Sequence, residues 1–153
     1  MSYFKEYLEK YKDKKIKLFV DMDGVVADYD VGIPYNFDKK RPLKTNIAKL
    51  EEASKNENIE LYICSVSRLK DGIKEKNAWL DIHAPFFKKE NRIILDRESH
   101  DYKTSCELKA EYYQSVERDG RTIIVIDDDP MILREIGETS KDIIRLKDTV
   151  LVD

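Results

Sequence analysis

The apolar positions of the chain alternate between two periods. Short continuous runs at Ile16–Val20 (IKLFV), Leu61–Val66 (LYICSV), Ile93–Leu95 and Ile123–Ile126 (IIVI), with a shorter one at Ile143, Ile144 and Leu146, have the character of strands buried on both faces. Helical spacing fills the intervals. Residues 46–53 place Ile47, Leu50 and Ala53 on one face, and residues 74–83 place Ala78, Trp79 and Ile82 together. Residues 104–116 open on a capping box, Thr104 with Glu107, and stop before Asp119-Gly120. Pro130 stands at the first position of a last helix, Met131–Glu138, and Tyr3–Tyr11 reads as a further amphipathic helix on the outside. Strand and helix alternate about five times. That pattern predicts an α/β, Rossmann-like parallel sheet of about five strands with helices on both faces.

The chain has 153 residues, with 31 Asp+Glu against 28 Lys+Arg and a net charge of −3. This length suits one domain with a proper core, so a single domain over 1–153 is expected. No apolar run reaches the ~20 residues of a membrane span, and MSYFKEYLEK lacks a signal-peptide core, so a cytoplasmic protein is expected. Two cysteines, Cys64 and Cys106, cannot build a disulfide framework, and no Cys/His spacing suits zinc. Near-neutral charge argues against a protein that coats nucleic acid by electrostatics alone.

Chemistry concentrates at two strand ends. KLFV runs into Asp21 and Asp23, and IIVI runs into Asp127, Asp128 and Asp129. In open α/β sheets the active site lies beyond the carboxyl ends of the strands, where strand order switches. Several carboxylates gathered there repel one another and require shifted pKa values or a divalent cation; an all-oxygen set suits Mg²⁺. In an extended stretch residues i and i+2 point the same way, so Asp21 and Asp23 can face one reacting centre. One can attack while the other moves protons on the leaving group. Gly24 then lets the chain turn away.

DMDGVVAD at Asp21–Asp28 resembles the first motif of the haloacid-dehalogenase superfamily of phosphotransferases. Ser65, late in LYICS, is similar to its second motif, and Asp127 with Asp128 in VIDDDP to its fourth. TIIVIDDDP also resembles the opening strand of a receiver domain, which needs a longer segment after the acids than follows Asp129. The superfamily resemblance implies a Mg²⁺-dependent phosphatase. Asp21 would form an aspartyl-phosphate, and Asp23 would serve as acid and then base. Ser65 would bind the phosphoryl group, and the metal would be held by Asp21, the carbonyl of Asp23, and Asp127 or Asp128.

The superfamily's phosphate-screening lysine has three candidates here, Lys109, Lys76 and Lys103, with the others expected on a solvated surface. The interval 24–60 leaves no room for a sizeable cap, so an open site is expected. LYICSVSR with KNAWLDIHAPF is similar to the 5′(3′)-deoxyribonucleotidases, and RESHDYKTSCELKAEYY to phage-type polynucleotide 3′-phosphatase domains. Both resemblances imply a phosphate on a nucleotide or a nucleic-acid end. A phosphatase of another metabolite or of a phosphoprotein, a phosphotransferase, and a non-catalytic binding module are the alternatives.

Arg68 and Lys70 are candidates for substrate contact, and Tyr29 and Tyr35 for closing over a base. Lys10, Lys12, Lys14, Lys15 and Lys17 read as a solvated helix end and loop; Trp79, Ile82 and Phe86 read as core. His83 and His100 have no evident catalytic partner. The sequence does not set the oligomeric state.

Overall fold

The computed structural model describes residues 2–29 and 37–152. Five parallel strands, β1 (Ile16–Val20), β2 (Ile59–Ser67), β3 (Arg92–Asp96), β4 (Thr122–Asp127) and β5 (Ile144–Lys147), form one sheet in the order β3-β2-β1-β4-β5. The helices are α1 (Tyr3–Glu9), α2 (Lys44–Ser54), α3 (Asp71–His83), α4 (Ser105–Ser115) and α5 (Pro130–Thr139). The chain builds outward from β1 through β2 to β3, then returns to lay β4 on the other side of β1. The order therefore switches between β1 and β4, the two strands that end in acids.

Alternation along the central strands divides the core between the two faces of the sheet. Ile16, Leu18 and Val20 of β1 and Ile124 and Ile126 of β4 join Phe4 of α1, Ile47, Leu50 and Ala53 of α2, and Trp79 and Leu80 of α3. Phe19, Cys64, Ile123 and Val125 face the other way, onto Tyr113 of α4 and Ile132 and Ile136 of α5. On that second face Phe19 stacks on Tyr62 at 4.6 Å and meets the edge of Tyr113 at 5.3 Å.

The helix ends follow local chemistry. Ser2 caps α1 by accepting from Lys5 N, and Thr104 caps α4 by accepting from Glu107 N at 3.1 Å. Asp129 caps α5 by accepting from Met131 N at 2.8 Å, with Pro130 at the first helical position. Among the described residues the β1–β2 interval holds a short 3₁₀ turn, Phe37–Lys39, and α2, with no cap over the sheet.

Two expectations about faces need correction. The buried face of α3 is Lys76, Trp79 and Leu80, whereas Ile82 is 75% exposed and Ala78 is exposed. A buried lysine in the helix turns its inward face away from the one the apolar residues alone define. Lys17 is also not solvated: it is buried in β1, and its ammonium donates to Glu117 O at 2.6 Å and to Asp119 at 3.0 Å. Its long apolar stem crosses the sheet surface to reach polar partners at the loop before β4.

Trp79 anchors the segment that carries Lys40. It is buried, meets Phe37 at 5.7 Å and His83 at 4.6 Å, and its indole N–H donates to Lys40 O at 3.0 Å. Trp79→Ala is expected to cost about 3–5 kcal/mol of stability, read by chemical denaturation with circular dichroism because this is the only tryptophan of the chain.

Candidate active site

At the carboxyl end of β1 the backbone is wound tightly. Asp21 N donates to Ile126 O of β4, and the carbonyl of Met22 accepts from Val25, Val26 and Ala27 N at 3.0–3.1 Å. Asn46 of α2 donates to Val25 O at 2.9 Å, pinning the turn from behind. Gly24 sits in the turn at φ +79°, and a Cβ there would lie 2.0 Å from an oxygen of Asp128. Both the backbone conformation and the approach of the β4 acids require glycine.

Asp21, Asp127 and Asp128 each offer a carboxylate oxygen within 4.8 Å of the others. Lys109, from the second turn of α4, is buried among them, 2.9 Å from Asp21 Oδ1 and 2.6 Å from Asp127 Oδ2. Asp127 is spoken for on both oxygens, since Oδ1 accepts from Asp129 N at 3.0 Å. Asp128 is half-buried and borders the open space.

Lys109 bonds two of the three carboxylates, Asp21 and Asp127, and burial together with the surplus of negative charge shifts the protonation of Asp21 and Asp128. Burial, reinforced by Asp127 and Asp23 and only partly offset by Lys109, pushes the Asp21 carboxyl up to about 8. Burial and Asp127 raise Asp128 to about 6. Lys109, despite its burial, is held firmly charged by Asp21 and Asp127. Such a cluster takes up either protons or a cation.

Asp23 lies on the other side of the turn with different partners. Lys40 donates to its Oδ1, and Lys76 of α3 lies 3.3 Å from its Oδ2. Burial works against ionisation of Asp23, but Lys76 and Lys40 outweigh it and hold the carboxyl below its usual range. Lys76 also donates to Ser65 Oγ at 2.7 Å and Val66 O at 2.9 Å, tying Asp23 to the end of β2; burial lowers its own pKa. Adjacent carboxylates two residues apart are thus pushed in opposite directions.

The space above these groups is a cleft of two lobes that share Asp23, Tyr29 and Val66. One, about 380 Å³, is bordered by Asp21, Lys109 and Asp128; the other, about 230 Å³, by Phe37, Lys40, Arg68 and Lys76. Asp21 and Asp23 therefore do face one space. Ser65 is fully buried and lines neither lobe; it meets the site through Lys76. Arg68 borders the smaller lobe, whereas Lys70 borders neither. Tyr29 lines both lobes and is 62% exposed, and Tyr35 lies outside the described residues.

The structure corrects the expectation that one lysine of three would sit at the acids. Lys109 and Lys76 are both buried there, on opposite sides of the turn, while Lys103 pairs with Glu111 at 2.8 Å on the surface. Lys40 was missed. It follows a surface-like run, Asp38-Lys39, and only the fold shows that Trp79 and Phe37 hold it inward.

No family model and no curated protein matches the sequence. Among solved structures, the fold is similar to a chain of the Pnkp1/Rnl/Hen1 RNA repair complex, with a TM-score of 0.66 at 14% identity over 88% of this chain and 43% of that one. This chain thus spans less than half the length of that neighbour, and what the two share is a fold. No helix among the described residues is long and apolar enough to cross a membrane.

The raised carboxyl of Asp21 has a consequence for stability. A carboxyl whose pKa is higher folded than unfolded favours folding while protonated, and that contribution is lost as pH rises through the folded value. Without divalent cations, the melting temperature should fall from about pH 4, the ordinary carboxyl value, to about pH 8. Asp21→Asn should show a shallower fall over the same range. Equal slopes for the two proteins would mean that Asp21 ionises normally.

Proposed function

We propose that the protein is a Mg²⁺-dependent phosphomonoester hydrolase that works through an aspartyl-phosphate on Asp21 and acts on a nucleotide or on a terminal phosphate of a nucleic acid. The observation that carries this reading is the division of labour across the first turn. Asp21 sits with Lys109 and the β4 acids, Asp23 sits with Lys40 and Lys76, and both border one cleft. The resemblance of DMDGVVAD, Ser65 and Asp127-Asp128 to haloacid-dehalogenase motifs supports it. The likeness of fold to a chain from a solved RNA repair complex agrees with the nucleic-acid end of the range.

The donor set fits Mg²⁺. It is all oxygen, it carries more negative charge than Lys109 neutralises, and Gly24 leaves no Cβ where the Asp128 carboxylate lies. Asp21 and Asp128 are the side chains that would hold the ion, with the carbonyl of Asp23. Asp127, engaged by Lys109 and by the backbone of Asp129, orients the lysine instead. When bound, the ion neutralises charge on the phosphoryl oxygens and keeps Asp21 ionised.

The chain's own residues supply the rest. Asp21 attacks phosphorus in line, and the bond from phosphorus to the ester oxygen breaks. Asp23, ionised between Lys40 and Lys76 in the free protein, takes up a proton from solvent as the negative charge of the phosphate arrives, delivers it to that leaving oxygen, then takes one from the water that attacks the aspartyl-phosphate. Lys109 screens the approach of a phosphate dianion to Asp21, and Lys76, held in place by the buried Ser65, stands beside Asp23 at the second lobe.

Phosphate release measured with Mg²⁺ on a deoxynucleoside monophosphate mixture and on a 3′-phosphorylated oligonucleotide tests the reading. Release should vanish with chelator and in Asp21→Asn, and Asp23→Asn should be slower by about 10²–10⁴-fold on alkyl phosphates. Mg²⁺ binding with no turnover of any phosphomonoester would favour a non-catalytic binding module.

A further inference from the structure

Asp23 stands on the boundary between the two lobes, and the reading above, on which this inference rests, gives it the leaving oxygen. The phosphoryl group then belongs in the lobe of Asp21, Lys109 and Asp128, and the departing alcohol is directed into the smaller one. That lobe has a definite chemical character. Lys40 and Phe37 come from the segment before α2, Arg68 from the loop after β2, and Lys76 from α3. The ammonium of Lys40 lies 4.9 Å from the Phe37 ring centroid, beneath which Trp79 locks the Lys40 backbone. Lys76 lies 5.2 Å from the same ring. Three cations therefore flank the lobe, against Asp23 and the exposed Glu75.

We propose that the smaller lobe is a leaving-group subsite, and that Lys40 and Arg68 make it select leaving groups that carry a negative charge of their own. A nucleotide bearing a second phosphate, or the phosphodiester that precedes a strand's phosphorylated end, has this chemistry; a neutral nucleoside or a simple alcohol lacks it. The phosphoryl-side charges cannot provide such selection, because the transferred phosphate is common to every substrate. Lys40 is suited to the task because it already reaches Asp23, so a second anion held by it lies on the leaving-oxygen side of the reaction. Arg68, on an exposed loop, adds a second donor at the same lobe.

A nucleoside 3′,5′-bisphosphate compared with its two monophosphates isolates the effect, since whichever phosphate is removed the leaving group of the bisphosphate is charged. With Mg²⁺ and product chromatography, kcat/KM for the bisphosphate should exceed that of the matching monophosphate by about tenfold. The advantage should shrink as salt is raised. Lys40→Met and Arg68→Gln should each narrow the ratio, and Arg68→Gln, at an exposed position, does so without a buried group being lost. Phenyl phosphate serves as the reference for hydrolysis itself. Hydrolysis of phenyl phosphate with mono- and bisphosphate rates within twofold would overturn the subsite while leaving the phosphatase reading standing. A ratio unchanged in both variants would overturn the assignment of Lys40 and Arg68. No hydrolysis of any of the compounds would overturn the phosphatase reading and the subsite with it.

Discussion

The buried ammonium of Lys109, between Asp21 at the end of β1 and Asp127 at the end of β4, is the contact on which the acidic edge of the sheet depends. Two adjacent parallel strands ending in carboxylates would otherwise face each other across water-poor space, where unpaired charges are costly. Lys109 offsets one charge and leaves a surplus. Burial, reinforced by that surplus, keeps Asp21 and Asp128 above the normal carboxylate range, and the surplus makes the cluster receptive to a cation. The same contact couples α4 to the central strands, so a helix on one face of the sheet helps to set the geometry of a loop at its edge.

The turn after β1 separates two electrostatic environments within three residues. Asp21 sees excess negative charge, while Asp23 sees Lys40 and Lys76. In the free protein these surroundings favour the protonated form of Asp21 and the ionised form of Asp23, the reverse of a nucleophile and a proton donor, so a cation held by Asp21 and Asp128 is what would free the nucleophile. The turn achieves this with Gly24, whose positive φ admits the Asp128 carboxylate, and with Met22, whose carbonyl gathers three N–H groups.

The hydrophobic pattern carried the fold because parallel strands buried on both faces have no amphipathic ambiguity: IKLFV and IIVI read as central strands and are. The acids were legible for a related reason, since a strand that ends in carboxylates at a switch point has few structural explanations. The buried lysines were harder. Lys109 and Lys76 share with Lys103 a helical or near-helical setting and a charged neighbourhood, and only three-dimensional packing separates the two that turn inward from the one that pairs with Glu111. Ile82 misled for the converse reason: the i, i+3 relation to Trp79 suggested a common face, but Lys76 occupies the inward position that fixes which way α3 is rotated. Lys40 carried no signal, because it is held inward by a long-range contact of its backbone with Trp79, with the ring of Phe37 beside its ammonium.

The central claim is that Asp21 becomes covalently phosphorylated during turnover. Acid quenching of the protein during hydrolysis of a phosphomonoester in Mg²⁺, followed by peptide mass spectrometry, tests it most directly. The account predicts a phosphate adduct on the peptide that contains Asp21, present during turnover and gone once substrate is exhausted. Sustained phosphate release with the adduct on another residue, or with no adduct under conditions that trap acyl phosphates, would contradict it.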